Sequence, residues 1–138
     1  VGISDGIGFG DNTRAALITR GLAEISRLGT ALGAKASTFA GLSGIGDLIV
    51  TCASKLSRNH TVGERLGRGE TIDHILASMK QVAEGVKATE AGLALGTRRQ
   101  VELPITAQMA ELLAGRTTPA RAVAGLMLRP QRIEVETG

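Results

Sequence analysis

Apolar positions along this chain keep to the helical period, and the strand period of two does not recur. Leu17, Ile18, Leu22, Ile25, Leu28 and Leu32 fall on one face at steps of three and four. That pattern predicts a long helix over 12–32, with Asp11 as its N-cap and Gly33 as its C-cap. Ala15, Ala16, Ala23 and Ala31 keep this helix slim enough for close packing. A short helical turn follows over 34–40, and Ser57 is placed to cap a helix running to about Gly67. Thr71 or Asp73 starts another, with Ile72, Ile75, Leu76 and Met79 on one face. Further helices are expected over 89–100, from Pro104 to about Ala114, and from Thr118-Pro119 to about Leu128. No strand-like alternation of four or more residues repeats, and no hairpin turn separates two strand-like runs. The reading is all-α, with six to eight helices. Three segments fit a plain bundle poorly: 1–10, read as a tight irregular run of glycine and apolar residues, 41–51, and 55–69.

Composition narrows the class. The 138 residues suit one domain, expected over 1–130, with 131–138 as a polar tail. The chain opens on Val1 rather than Met, as a piece of a longer protein would. With no Trp or Tyr and only Phe9 and Phe39, the core must be built from Leu, Ile, Val and Ala. An apolar share of 43% against 21% charged residues excludes a disordered chain. No apolar run approaches the ~20 residues of a membrane span, and no basic-then-apolar leader is visible. Sixteen basic against thirteen acidic residues give a net charge of +3. That permits an anionic ligand. The basic pairs are short and there are no aromatic platforms, which argues against nucleic acid.

Candidate chemistry is sparse outside two stretches. Cys52 cannot form an internal disulfide, and with His60 and His74 it has no metal-ligand spacing; it reads as a small buried thiol, and no metal is expected. Gly6-Ile7-Gly8-Phe9-Gly10-Asp11 has no strand before it, so a tight connection into the long helix outweighs a phosphate loop. Asp47 is the only charge in 41–51; it either caps or pairs locally, or holds a polar ligand. Ser57-Arg58-Asn59 places a hydroxyl, a guanidinium and an amide at a helix start. That suits phosphate as well as it suits a capping serine beside a solvated arginine. Asp47, Thr51, Ser57, Arg58 and Asn59 fall within thirteen residues, which favours a site. Residues 82–86 read as an apolar-acidic turn between helices, with Glu84 an ordinary loop carboxylate on its own terms.

Taken together, GISDGIGFGDNTRAALITRGLAEISRLGTALGA, FAGLSGIGDLIVTCASKLSRNHTVGERLGRGE, QVAEGVKATEAG and LPITAQMAELLAGRTTPARAVAGLM cover almost the whole chain. In motif order and spacing they resemble the C-terminal domain of bacterial NAD(P)-dependent glycerol-3-phosphate dehydrogenases. The resemblance implies a multi-helix domain of the 6-phosphogluconate dehydrogenase-like type, separated from its N-terminal Rossmann domain. It implies interconversion of dihydroxyacetone phosphate and sn-glycerol 3-phosphate with NAD(P)H, which feeds phospholipid synthesis in the cytoplasm. Carried over residue by residue, it puts Asp47, Ser57, Arg58 and Asn59 around the glycerol-phosphate site, with Thr51 beside Asp47. It puts Arg58, Val82 and Glu84 toward the cofactor. The family's catalytic lysine lies on the far side of Val1, so no catalytic residue is expected within 1–138. This chain alone is expected to be inactive and to hold NAD(P)H weakly at best. The resemblance further implies a homodimer and the chain's own Rossmann domain as partner, with no nucleic acid and no membrane span. Two other readings stand beside it: the helical domain of a hydroxyacid or 6-phosphogluconate-like dehydrogenase, and a non-enzymatic helical interaction domain.

Overall fold

The computed structural model describes residues 1–80 and 84–130. Among them lie nine α-helices and one π-helical turn, and no strand. The helices are α1 (Gly2–Ile7), α2 (Asp11–Ala31), α3 (Ala36–Ala40), α4 (Asp47–Ala53), α5 (Arg58–Gly67), α6 (Ile72–Ser78), α7 (Glu84–Arg99), α8 (Pro104–Leu113) and α9 (Pro119–Leu128). The π-helical turn, Leu42–Gly46, leads directly into α4. The all-α expectation is met, with more and shorter helices than the six to eight expected. The C-terminal tail, 131–138, lies outside the described residues.

Most helix ends follow from local chemistry. Ser57, Thr71 and Thr118 each accept the amide three residues on, from His60, His74 and Arg121. Gly33 adopts φ 97° just past α2, and the Gly33 and Ala34 amides close back onto the carbonyls of Thr30 and Gly29. Asp11 is not the N-cap of α2: Gly10 is, and Asp11 is the first helical residue, its carboxylate at the positive end of the dipole. Helix α7 already includes Glu84, five residues before the expected start, so Glu84 is helical rather than in a turn.

The larger correction is at the start of the chain. Residues 2–7 are helical, and the i,i+4 spacing puts Gly2 and Gly6 on one face. That face meets Gly63 and Gly67 of α5 at backbone contact. A Cβ at Gly6 would overlap the Glu64 carbonyl, and one at Gly67 would overlap the Ile3 carbonyl. A Cβ at Gly2 would lie 2.5 Å from the His60 carbonyl oxygen. Around this crossing sits the core: Ile3, Val62, Leu66, Ile75, Leu112 and Val123, with Ile75 fully buried. Helices α1, α5, α6, α8 and α9 thus supply the core.

Polar contacts lock the same crossing. Asp5 of α1 accepts from Arg14 Nη2 at 2.9 Å and Nε at 3.2 Å. Its other oxygen lies 2.9 Å from His60 Nε2 of α5. Burial pushes the Asp5 carboxyl up, but hydrogen bonds from His60 and Arg14, with their charges, outweigh it and hold Asp5 below the usual carboxylate range.

Glu24 solves a separate problem. Helix α8 begins at Pro104, which has no N–H, after Leu103, which has no capping side chain. Glu24, only 5% exposed within α2, accepts from the Ile105 amide at 2.8 Å, the Thr106 amide at 2.9 Å and the Thr106 hydroxyl at 2.6 Å. It therefore caps α8 across 81 residues of sequence. Glu24 lies seven residues after Leu17 and four before Leu28, on the predicted apolar face.

Two substitutions of the same kind should have opposite signs. Gly67→Ala is expected to cost about 3 kcal/mol or more, since the added methyl meets backbone that cannot move aside. Gly125→Ala, in exposed α9 with open space around the added carbon, is expected to gain roughly 0.5–1 kcal/mol. Urea midpoints of both variants check this, and equal shifts would refute the close crossing. Asp5 gives a pH dependence. A depressed carboxylate contributes stability that is fully present above its ordinary pKa and is lost as pH falls through its folded value. The stability gap between wild type and Asp5→Asn should therefore be level from pH 6 down to about pH 4 and shrink as pH falls further. A gap that does not shrink below about pH 4 removes Asp5 from the lock.

Candidate functional site

Ser57, Arg58, Asn59 and Glu84 come together around one open pocket, with Leu56 completing its lining and a volume of about 290 Å³. The first three are neighbours in sequence. Ser57 is the N-cap of α5 and Arg58 its first residue, so the positive end of the α5 dipole borders the pocket. Arg58 and Asn59 are exposed, and Ser57 is half-buried. The Ser57 hydroxyl accepts from the His60 amide at 3.2 Å, and the Ser57 carbonyl accepts from the Thr61 amide at 3.0 Å. The cap thus holds the start of the helix in place beneath the guanidinium.

Glu84 arrives from 25 residues further on through a specific bond. Asn59 Oδ1 accepts from the Gly85 amide at 2.9 Å, which places the start of α7 against the start of α5. A Cβ at Gly85 would come within 2.7 Å of Asn59 Oδ1, so a side chain there would push the Asn59 amide aside. The Gly85 amide can only donate, which fixes Oδ1 as the atom facing it. The Nδ2 end of Asn59 is then the donor end. Two helix starts, one guanidinium, one amide and one carboxylate therefore share a single open surface.

Asp47 and Thr51 are placed differently. Both are exposed on α4, one turn apart on the same face, so Thr51 does sit beside Asp47. Neither lines the pocket built by Ser57, Arg58, Asn59 and Glu84. Gly46, not Asp47, is the N-cap of α4, and Asp47 is its first residue. Val82 lies outside the described residues. Cys52, expected to be buried, is half-buried, and burial pushes its thiol up, away from a nucleophile's range.

A second cleft, of about 240 Å³, gathers Arg20, Arg27 and Arg129. Its guanidiniums tie chain ends: Arg20 donates to the Arg129 carbonyl at 2.7 Å, Arg27 to the Glu102 carbonyl at 3.2 Å, and Arg129 to the Glu102 carboxylate at 3.0 Å. That cleft is a fastening of α2 to the ends of α7 and α9. Among the described residues, no three His, Cys, Asp or Glu side chains converge as a metal site, and no helix is long and apolar enough to cross a membrane.

Replacing Asn59 by Ala should leave the Gly85 amide without its acceptor and cost about 1 kcal/mol, as loss of a helix cap does. Amide exchange at Gly85 should accelerate, and Asn59→Asp, which keeps an acceptor, should restore it. An unchanged Gly85 exchange rate in Asn59→Ala would show that the bond does not hold α7.

Residues 1–124 match the family model for the NAD-dependent glycerol-3-phosphate dehydrogenase C-terminus. A glycerol-3-phosphate dehydrogenase of Oleidesulfovibrio alaskensis is 56% identical over 133 residues, covering 96% of this chain and 40% of that protein. One from Geobacter sp. (strain M21) is 57% identical over 134 residues, with the same coverage of 96% and 40%. The crystal structure of glycerol-3-phosphate dehydrogenase from Coxiella burnetii superposes with a TM-score of 0.89 at 41% identity, covering 93% of this chain and 39% of that one. The chain spans about 40% of the length of the curated relatives it matches. It belongs to the NAD-dependent glycerol-3-phosphate dehydrogenase C-terminus family, as a helical domain of the 6-phosphogluconate dehydrogenase-like type.

Proposed function

We propose that this chain is the substrate-binding half of a glycerol-3-phosphate dehydrogenase, which interconverts dihydroxyacetone phosphate and sn-glycerol 3-phosphate and so supplies phospholipid synthesis in the cytoplasm. The observation that carries this is the convergence of Ser57, Arg58 and Asn59 with Glu84 at two abutting helix starts. A phosphate dianion gains from the guanidinium and from the positive end of α5 together. The Asn59 amide nitrogen supplies a further donor. Glu84 disfavours a phosphate on its own side and accepts from hydroxyls, which suits it to the ribose of a dinucleotide or to the glycerol hydroxyls.

Asp47 and Thr51 belong to the same reading as a second group. They flank the site from α4 and meet substrate only when a second wall, supplied from outside 1–138, closes over both. The described residues contain no strand and hence no strand–glycine loop–helix unit for a dinucleotide, so this chain offers NAD(P)H an edge rather than a cradle. When bound, the nicotinamide supplies the hydride. Arg58, Val82 and Glu84 are the positions through which this chain would steady it. Among the described residues no lysine lines the pocket, and the chain alone should lack dehydrogenase activity. Homodimerisation through the helical domain is part of the same proposal.

The full-length enzyme provides the test. Dihydroxyacetone phosphate should drive NAD(P)H oxidation, and Arg58→Ala should lower kcat/KM by roughly 2–5 kcal/mol of transition-state stabilisation, as loss of a charged contact to an anion does. An Arg58→Ala enzyme with unchanged kcat/KM, or a wild type that prefers a hydroxyacid, would overturn the assignment.

A further inference from the structure

Leu56 is 94% exposed, more than any other large apolar side chain among the described residues. Taken alone, an exposed leucine needs no explanation. This one lines the pocket of Ser57, Arg58, Asn59 and Glu84, where it is the only hydrocarbon side chain among the described residues. It is also held there. The Leu56 amide donates to Ser54 Oγ at 3.2 Å, and the Ser57 amide donates to the Ser54 carbonyl at 3.2 Å. Ser57 in turn caps α5. The backbone on both sides of Leu56 is thus tied to Ser54 and to the helix that carries Arg58.

A guanidinium and a phosphate in open water attract weakly, because water and salt screen them. The same contact strengthens when apolar groups displace that water. Leu56 stands two residues before Arg58. By itself it shields nothing, since water covers nearly all of it. It needs a ligand with carbon of its own to lie against. A phosphate ester offers C–H surface directly beside its phosphate, and inorganic phosphate offers none. We propose that Leu56 is the residue by which this pocket selects a phosphate ester over free phosphate. With the anion at Arg58, the carbon skeleton of the ester packs on Leu56, and water leaves the ionic contact. The inference deepens the anion reading of this pocket given above and rests on it. Two ligands share the chemistry, sn-glycerol 3-phosphate and the ribose phosphate of NAD(P)H, and each is titrated separately.

In the full-length protein, Leu56→Ala should weaken glycerol 3-phosphate, NAD(P)H or both by about fivefold or more, as loss of apolar burial does. Calorimetry reads the first and nucleotide fluorescence the second. The binding that weakens should also become more sensitive to salt. Affinity for inorganic phosphate should change by less than about twofold, because no carbon surface is buried with it. Leu56→Met should restore the ester. The urea midpoint should stay where it is, since the side chain is exposed. Whichever ester loses affinity is the one that lies on Leu56. Unchanged affinity for both esters overturns the proposal, and so does an equal loss for inorganic phosphate. A lower midpoint with no rescue by Leu56→Met makes Leu56 a packing residue and overturns it too. Arg58→Ala separates this inference from the functional one. Glycerol 3-phosphate and NAD(P)H that weaken in Arg58→Ala but not in Leu56→Ala lose this inference alone. Affinities unchanged in Arg58→Ala lose the functional reading with it.

Discussion

Four glycines on two helices let the α1 and α5 backbones touch, and the position of everything at the start of α5 depends on that contact. Gly2 and Gly6 meet Gly63 and Gly67 so closely that a single methyl at Gly6 or Gly67 would overlap a carbonyl. Dispersion at such short range is strong only if the helices do not slide. The Asp5 link to His60 and Arg14 prevents sliding, because His60 lies within the first turn of α5 and is only 9% exposed. Apolar packing sets the distance between the helices, and the partly buried hydrogen bonds of Asp5 set their register. Three residues upstream of His60 stands Ser57, so the register of α1 on α5 is also the register of the ligand-facing residues.

Asn59 carries a second dependence. Its Oδ1 is committed to the Gly85 amide, so the residue that most resembles a ligand contact is at the same time the bond that brings Glu84 to the pocket. Such double use has a physical logic. A side chain tied at one end loses less freedom when its other end binds, so the donor end of Asn59 is pre-oriented. The cost is that structure and binding cannot be varied independently there. Arg58 is exposed at the edge of the same pocket.

What the amino-acid sequence disclosed follows the range of the interactions involved. Ser57, Thr71, Thr118 and Pro104 mark helix starts through contacts three residues long, and each was legible. The site residues 57–59 were legible for the same reason, being consecutive at such a start. Gly2 and Gly6 were read as irregular, because glycine at i,i+4 looks like flexibility until a partner helix with the same spacing is brought against it. Asp47 and Thr51 are near 57–59 in sequence, and they stand on α4 outside the residues that line this pocket. Glu24 escaped notice although its signals were present: a carboxylate on an apolar face, and a helix start with neither capping side chain nor N–H at its first position.

The pocket and a groove of about 360 Å³ between α2, α4, α7 and α8 are not independent, because they meet on α7. Glu84 lines the pocket, and its neighbour Gly85 lines the groove and donates to Asn59. Helix α7 packs on α8 and α2, and the Gly85–Asn59 bond carries that packing to the start of α5. The geometry of the pocket therefore depends on how α7 is seated against its neighbours as well as on the cap of α5.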